Sequence, residues 1–112
     1  MRLRPVASEA DVLRVQRTLH EDGQVSEGNW AKRLKEGQAK LVAGDLLELA
    51  EVVRDGMRRE SQAREGAVPK VADSERRLYQ QARQLLAGEI GSARGLQEAE
   101  ADAWIEEQLF PT

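Results

Sequence analysis

The sequence predicts an all-α protein, a compact bundle of five helices. Three observations carry this. Glu, Arg, Gln, Leu and Ala dominate the 112 residues and β-branched residues are sparse, a mixture that favours helix over sheet. Apolar residues recur at helical spacing in several segments. Between them stand capping residues, glycines and Pro69, which start and stop helices. The length is that of one domain. Aromatics make up only 4% of the chain against 40% apolar residues, so the core must be aliphatic.

Ser8 reads as an N-cap followed by the first-turn acids Glu9 and Asp11, where a carboxylate suits the positive end of the helix dipole. Val12, Leu13, Val15 and Leu19 supply the apolar face of a first helix over about residues 8–21. Ser26 or Asn29 caps a second, with Leu34, Leu41 and Val42 at helical spacing, Gly37 as a weak point inside and Gly44 just past its end. Asp45 caps the third. Its Leu46, Leu49, Ala50, Val53 and Met57 form the clearest periodic pattern in the chain, with Gly56 as a soft spot. The polar run from Arg58 to Glu65 either extends this helix into solvent or frays. Residues 66–72 break the pattern at Pro69. Asp73 or Ser74 starts the fourth helix, with Leu78, Ala82, Leu85, Leu86 and Ile90 buried. Gly91 to Gly95 reads as the last loop. Leu96, Ala99, Ala103 and Trp104, with Leu109 or Phe110 as a further member, then mark a short fifth helix ending before Pro111.

Net charge is −3, so the chain lacks an overall basic footprint for nucleic acid. Charge is uneven, however. Residues 26–44 carry four cations against two acids, residues 67–88 the same, and residues 89–112 one cation against six acids. A polyanion contact must therefore be local and avoid the C-terminal end. Without cysteine, disulfides and Cys-based zinc sites are excluded. No apolar run is long enough to span a membrane, and Met1-Arg2-Leu3-Arg4-Pro5 is followed by no signal-peptide core. A soluble cytoplasmic protein is the expectation.

Chemistry-bearing groups are few. His20 is the sole histidine and has no Cys or Ser partner in any catalytic pattern, so a structural or surface role near a helix end is expected. Glu98, Asp102 and Glu106 form an acidic stripe at i, i+4, i+8. A helix face alone cannot wrap a hard cation, and a solvated face is the simpler reading. Arg54, Arg58 and Arg59 form a basic edge that Asp55 and Glu51 can pair with. Trp104 reads as core and Tyr79 as a half-buried edge residue. Arg76 and Arg77 open the fourth helix, where the dipole disfavours cations. Phosphate contact and pairing with the acidic tail are both open to them. Phosphate-binding loops, dinucleotide fingerprints and hydrolase motifs are missing. We expect no enzyme, no cofactor and no metal.

Trp30 is the most informative residue. It stands at a helix start with Lys32, Arg33 and Lys35 close behind. On a helical wheel it falls within about 40° of Leu34 and about 20° of Leu41, which favours burial. A first-turn side chain can also project past the end of a bundle. Periodicity leaves both roles open.

Together, several segments are similar to a known family. Asn29-Trp30-Ala31-Lys32-Arg33-Leu34-Lys35, Leu41-Val42-Ala43-Gly44-Asp45 and Leu49-Ala50-Glu51-Val52-Val53-Arg54-Asp55 resemble the C-terminal helical domain of the CarD/CdnL family of bacterial transcription factors. The likeness continues through Ser74-Glu75-Arg76-Arg77-Leu78 and Ala82 to Glu89. It implies one helical domain over 1–112, with 1–7 the remnant of a linker from a missing N-terminal Tudor-like domain that grips RNA polymerase. It implies promoter DNA as partner, contacted weakly and without sequence reading. Trp30 would wedge into the minor groove at the upstream edge of the melted bubble, stabilising the open complex. Lys32, Arg33, Lys35, Arg76 and Arg77 would touch the backbone, in a nucleoid-associated setting. Two departures stand out: a longer 65–73 loop with an added Pro69-Lys70, and Gly56-Met57 in place of bulkier apolar residues. The competing expectation is a protein–protein adaptor that uses the acidic fifth helix.

Overall fold

The computed structural model describes residues 6–21, 30–66 and 70–111, with the Trp30 side chain outside that set. Five helices follow in order: α1 Glu9–His20, α2 Trp30–Ala43, α3 Leu46–Arg64, α4 Asp73–Arg94 and α5 Glu98–Leu109. Among the described residues there is no strand.

Local chemistry sets most helix ends as expected. The Ser8 hydroxyl accepts from the Asp11 N–H, while the Asp11 carboxylate accepts from the Ser8 N–H. This reciprocal box satisfies two donors the helix leaves open. These bonds hold the Asp11 carboxyl below the ordinary carboxylate range. Asp45 caps α3 by accepting from the Leu47 and Glu48 N–H groups. Gly44, between α2 and α3, has φ +67°, a left-handed conformation that costs glycine little. The expected caps Ser26 and Asn29, and the breaker Pro69, lie outside the described residues.

The core is aliphatic, as composition requires. Val12, Val15 and Leu19 of α1 meet Leu49 and Val53 of α3, Leu86 and Ile90 of α4, and Ile105 and Leu109 of α5 in one buried cluster. The α1 C-terminus is closed by side chains from α3. Arg54 donates to the Thr18 carbonyl and Arg58 to the Leu19 carbonyl at 3.0 Å. Arg54 is buried and also pairs with Asp55 and Glu21. Two members of the expected basic edge thus cap a neighbouring helix, and Glu51 turns to Lys40 instead.

The polar run after Met57 continues α3 as helix to Arg64, one of the two outcomes expected of it. Several expectations need correction. Residues 91–94 belong to α4, which ends at Gly95 with φ +67°. Gly91 marks a close approach and not a break: a Cβ there would lie 2.8 Å from the Leu96 carbonyl oxygen, and that chain folds back with the Leu96 N–H on the Gly91 carbonyl. The buried stripe of α5 is Ala101, Ile105, Gln108 and Leu109, with Ala99 and Ala103 exposed. Alanines carry little hydrophobic signal, so that phase was hard to read. Leu13, Val42 and Leu85 are exposed. Tyr79 is buried rather than half-buried.

Gly56 is not a soft spot but a contact point. A Cβ there would fall inside the Tyr79 ring. Gly56→Ala removes a helix penalty of about 1 kcal/mol yet forces the ring out of place, a cost of roughly 1–3 kcal/mol. The expected outcome is a net loss of stability, read as a lower urea midpoint. The control is Gly88→Ala on α4, where a Cβ meets nothing within 4 Å and stability should rise.

Candidate nucleic-acid interface

Contacts between helices bring three helix ends together. Arg33 reaches Glu75, and a Cβ on Gly37 would meet Leu78 at 2.5 Å. The contacts advance along α2 and α4 together, so the two helices run in the same sense with their N-termini at one end. Glu60 of α3 pairs with Arg76 at 2.5 Å, and Gly56 meets Tyr79. Here the order reverses, so α3 is antiparallel to α4 and brings its C-terminal turns to that same end. Segments 30–36, 58–66 and 70–77 gathered there hold nine Lys or Arg against five Asp or Glu, in a chain of net charge −3. Two helix N-termini add positive potential at this end, offset in part by the C-terminus of α3.

Each expected site residue has a definite place. Trp30 is the first residue of α2; its side chain lies outside the described residues. Lys32 is exposed, 4.0 Å from Glu36. Lys35 is exposed, one turn before Gln38. Arg77 is exposed on the first turn of α4 and lines a groove with Gln38, Leu41, Val42, Ser74 and Gln81. Arg76 is one-third exposed and held by Glu60 and Asp73. Arg33 points inward.

Arg33 belongs to a buried network. Its guanidinium donates to both Glu75 oxygens, at 3.1 and 3.4 Å, and the Tyr79 hydroxyl donates to the same carboxylate at 2.6 Å. Glu75 is 2% exposed. Burial first, and the neighbouring carboxylate second, push the Tyr79 hydroxyl far above its ordinary range. Sequence reasoning missed Glu75 and Tyr79. Their i, i+4 spacing was visible, but Arg33 lies 42 positions away.

A family model for the CarD C-terminal domain matches residues 14–106. The chain belongs to this family. The CarD C-terminal domain is a non-catalytic transcription-factor domain, and membership implies association with DNA and RNA polymerase. In this CarD domain no helix among the described residues is long and apolar enough to cross a membrane.

The acidic face of the CarD domain lies on α5. Arg83 of α4 sits between Asp102 at 2.7 Å and Glu106 at 3.2 Å. Burial works against its charge, but the two carboxylates outweigh it and raise its pKa. Among the described residues no group of three or more His, Cys, Asp or Glu is placed to hold a metal ion. His20 closes α1 with Nε2 2.8 Å from the Gln108 side-chain oxygen. Trp104 is half-buried under the Arg94 guanidinium, 5.4 Å from the ring centre.

Two outcomes follow from the buried network. Arg33→Ala strands the Glu75 carboxylate, and removing one partner of a buried pair costs roughly 3–5 kcal/mol; chemical denaturation measures it. Tyr79 is the only tyrosine. Its raised pKa means full stability below pH about 10, where a free tyrosine ionises, and progressive loss above that. Tyrosinate absorbance should therefore appear together with loss of helical circular dichroism, not before it.

Proposed function

We propose that this chain is the DNA-contacting domain of a CarD-like regulator. In this reading Trp30 wedges into the minor groove at the upstream edge of the transcription bubble and stabilises the open promoter complex. The observation that supports it is the cation-rich end of the bundle, where α2 begins at Trp30 and where Lys32, Lys35 and Arg77 are exposed. Family membership supplies the biological setting.

The physics suits such a role. An apolar wedge works by unstacking a base step, most easily where the duplex is already distorted. Cations on the backbone set position without reading sequence. A net charge of −3 keeps intrinsic affinity low, so the domain acts when held near DNA. In the proposed arrangement residues 1–7 lead from a Tudor-like domain bound to RNA polymerase, and tethering raises the effective concentration at the bubble.

Within this reading the cations divide. Lys32, Lys35 and Arg77 contact phosphates directly. Arg76 is shared between phosphate and Glu60, which gives it a smaller net contribution. Arg33, committed to Glu75, holds the first turn of α2 in place.

The test is open-complex lifetime with the regulator carrying this domain and its Trp30→Ala variant. A shortened lifetime with unchanged helical content is the expected result. An unchanged lifetime with a folded variant refutes the wedge.

A further inference from the structure

We propose that Arg59 is a further DNA-backbone contact, set on α3 beside the first turn of α2, so that the site is built on three helices. This rests on the reading above and extends it to a helix that supplied no contact there.

Placement comes first. α2 and α3 are joined by the tight turn at Gly44 and Asp45, and Lys40 reaches Glu51 at 3.6 Å. Two helices joined so closely run antiparallel, which puts the first turn of α2 opposite the 58–60 turn of α3. Arg59 stands three residues past Gly56, the position that receives the Tyr79 ring. Both Arg33 and Arg59 act on the Tyr79 hydroxyl through their charges. Arg59 therefore lies next to the turn that begins with Trp30.

Carboxylates on the neighbouring turns and helices hold other cations. Glu36 faces Lys32, Glu51 holds Lys40, Asp55 holds Arg54, Glu60 holds Arg76, and Glu75 takes Arg33 and Tyr79. Arg59 is half-buried, and among the described residues no hydrogen bond or ion pair to it is formed. Its charge and that of Arg33 both act on the Tyr79 hydroxyl, beside the Glu75 carboxylate that Arg33 already holds. A guanidinium with no carboxylate of its own can take a phosphate oxygen without first giving up a partner.

The rest of the molecule is arranged differently. Arg14, Lys40, Arg54, Arg83 and Arg94 each hold a carboxylate, and Arg58 caps α1. Among the described residues, and Arg58 with its carbonyl partner aside, the cations with no carboxylate are Lys35, Arg59, Arg64, Lys70 and Arg77 at this end, with Arg17 on α1 the exception. Paired cations add little to a polyanion's counter-ion exchange, whereas unpaired ones add fully.

The experiment is a titration of a fluorescent duplex containing an unpaired bubble with the 112-residue chain, repeated over a range of salt. Arg59→Gln is expected to weaken binding roughly three- to tenfold at low salt and to reduce the salt slope by about one. Arg59→Lys should keep the slope and Arg17→Gln should match the wild type. Thermal stability of Arg59→Gln should be unchanged, since no ion pair or hydrogen bond is lost. Wild-type affinity and slope for Arg59→Gln, alongside weakened Lys35→Gln and Arg77→Gln, overturns this inference alone. If Lys35→Gln and Arg77→Gln also bind as the wild type does, the DNA-contacting reading falls and this inference with it.

Discussion

A buried carboxylate needs a counter-charge, and this requirement fixes the geometry of the bundle's basic end. Glu75 is 2% exposed. It is tolerable there only because Arg33 supplies the charge and Tyr79 a further hydrogen bond. Arg33 lies in the first turn of α2, and Glu75 and Tyr79 lie at the start of α4. The network therefore aligns two helix N-termini side by side. An apolar contact would tolerate sliding, but a guanidinium bonded to both oxygens of one carboxylate admits essentially one register. Whatever the first turn of α2 presents is held at a fixed place relative to Arg77.

Small residues make room for that network. α4 is the longest helix and contacts all the others. α2 approaches it through Gly37 under Leu78, and α3 through Gly56 under the Tyr79 ring. These glycines are there for what they omit. Each lacks a side chain where a large one from α4 fills the space, so close packing survives in a chain poor in aromatics. The missing bulk at Gly56 is made up by Tyr79, and the third helix is not loosened there.

Charge is divided in the same spirit. Away from the basic end, cations bridge helices: Arg83 joins α4 to α5, Arg94 joins α4 to α1, and Lys40 joins α2 to α3. At the basic end Arg33 holds Glu75, Arg76 holds Glu60 and Asp73, and Lys32 faces Glu36, while Lys35, Arg59 and Arg77 have no carboxylate among the described residues. A modest negative net charge thus conceals a bipolar surface. Such a surface suits a domain that binds a polyanion on one side only and relies on another attachment for affinity.

The sequence by itself determined the five helices, the aliphatic core, the caps at Ser8 and Asp45, and the family. These depend on residues close together in the chain or on a motif preserved whole. It also pointed to the α2 start and the α4 start as the places of interest. It misread Gly91 and Gly56, because a glycine that breaks a helix and one that admits a neighbour look alike until the neighbour is known. It misphased α5, where alanines blur the apolar stripe. Only the tertiary structure decided which cations are spent on carboxylates. Ion pairing joins residues as far apart as Arg33 and Glu75, or Arg94 and Glu9. A local pattern carries no trace of such partners, because burial and counter-charge come from whichever helix packs alongside.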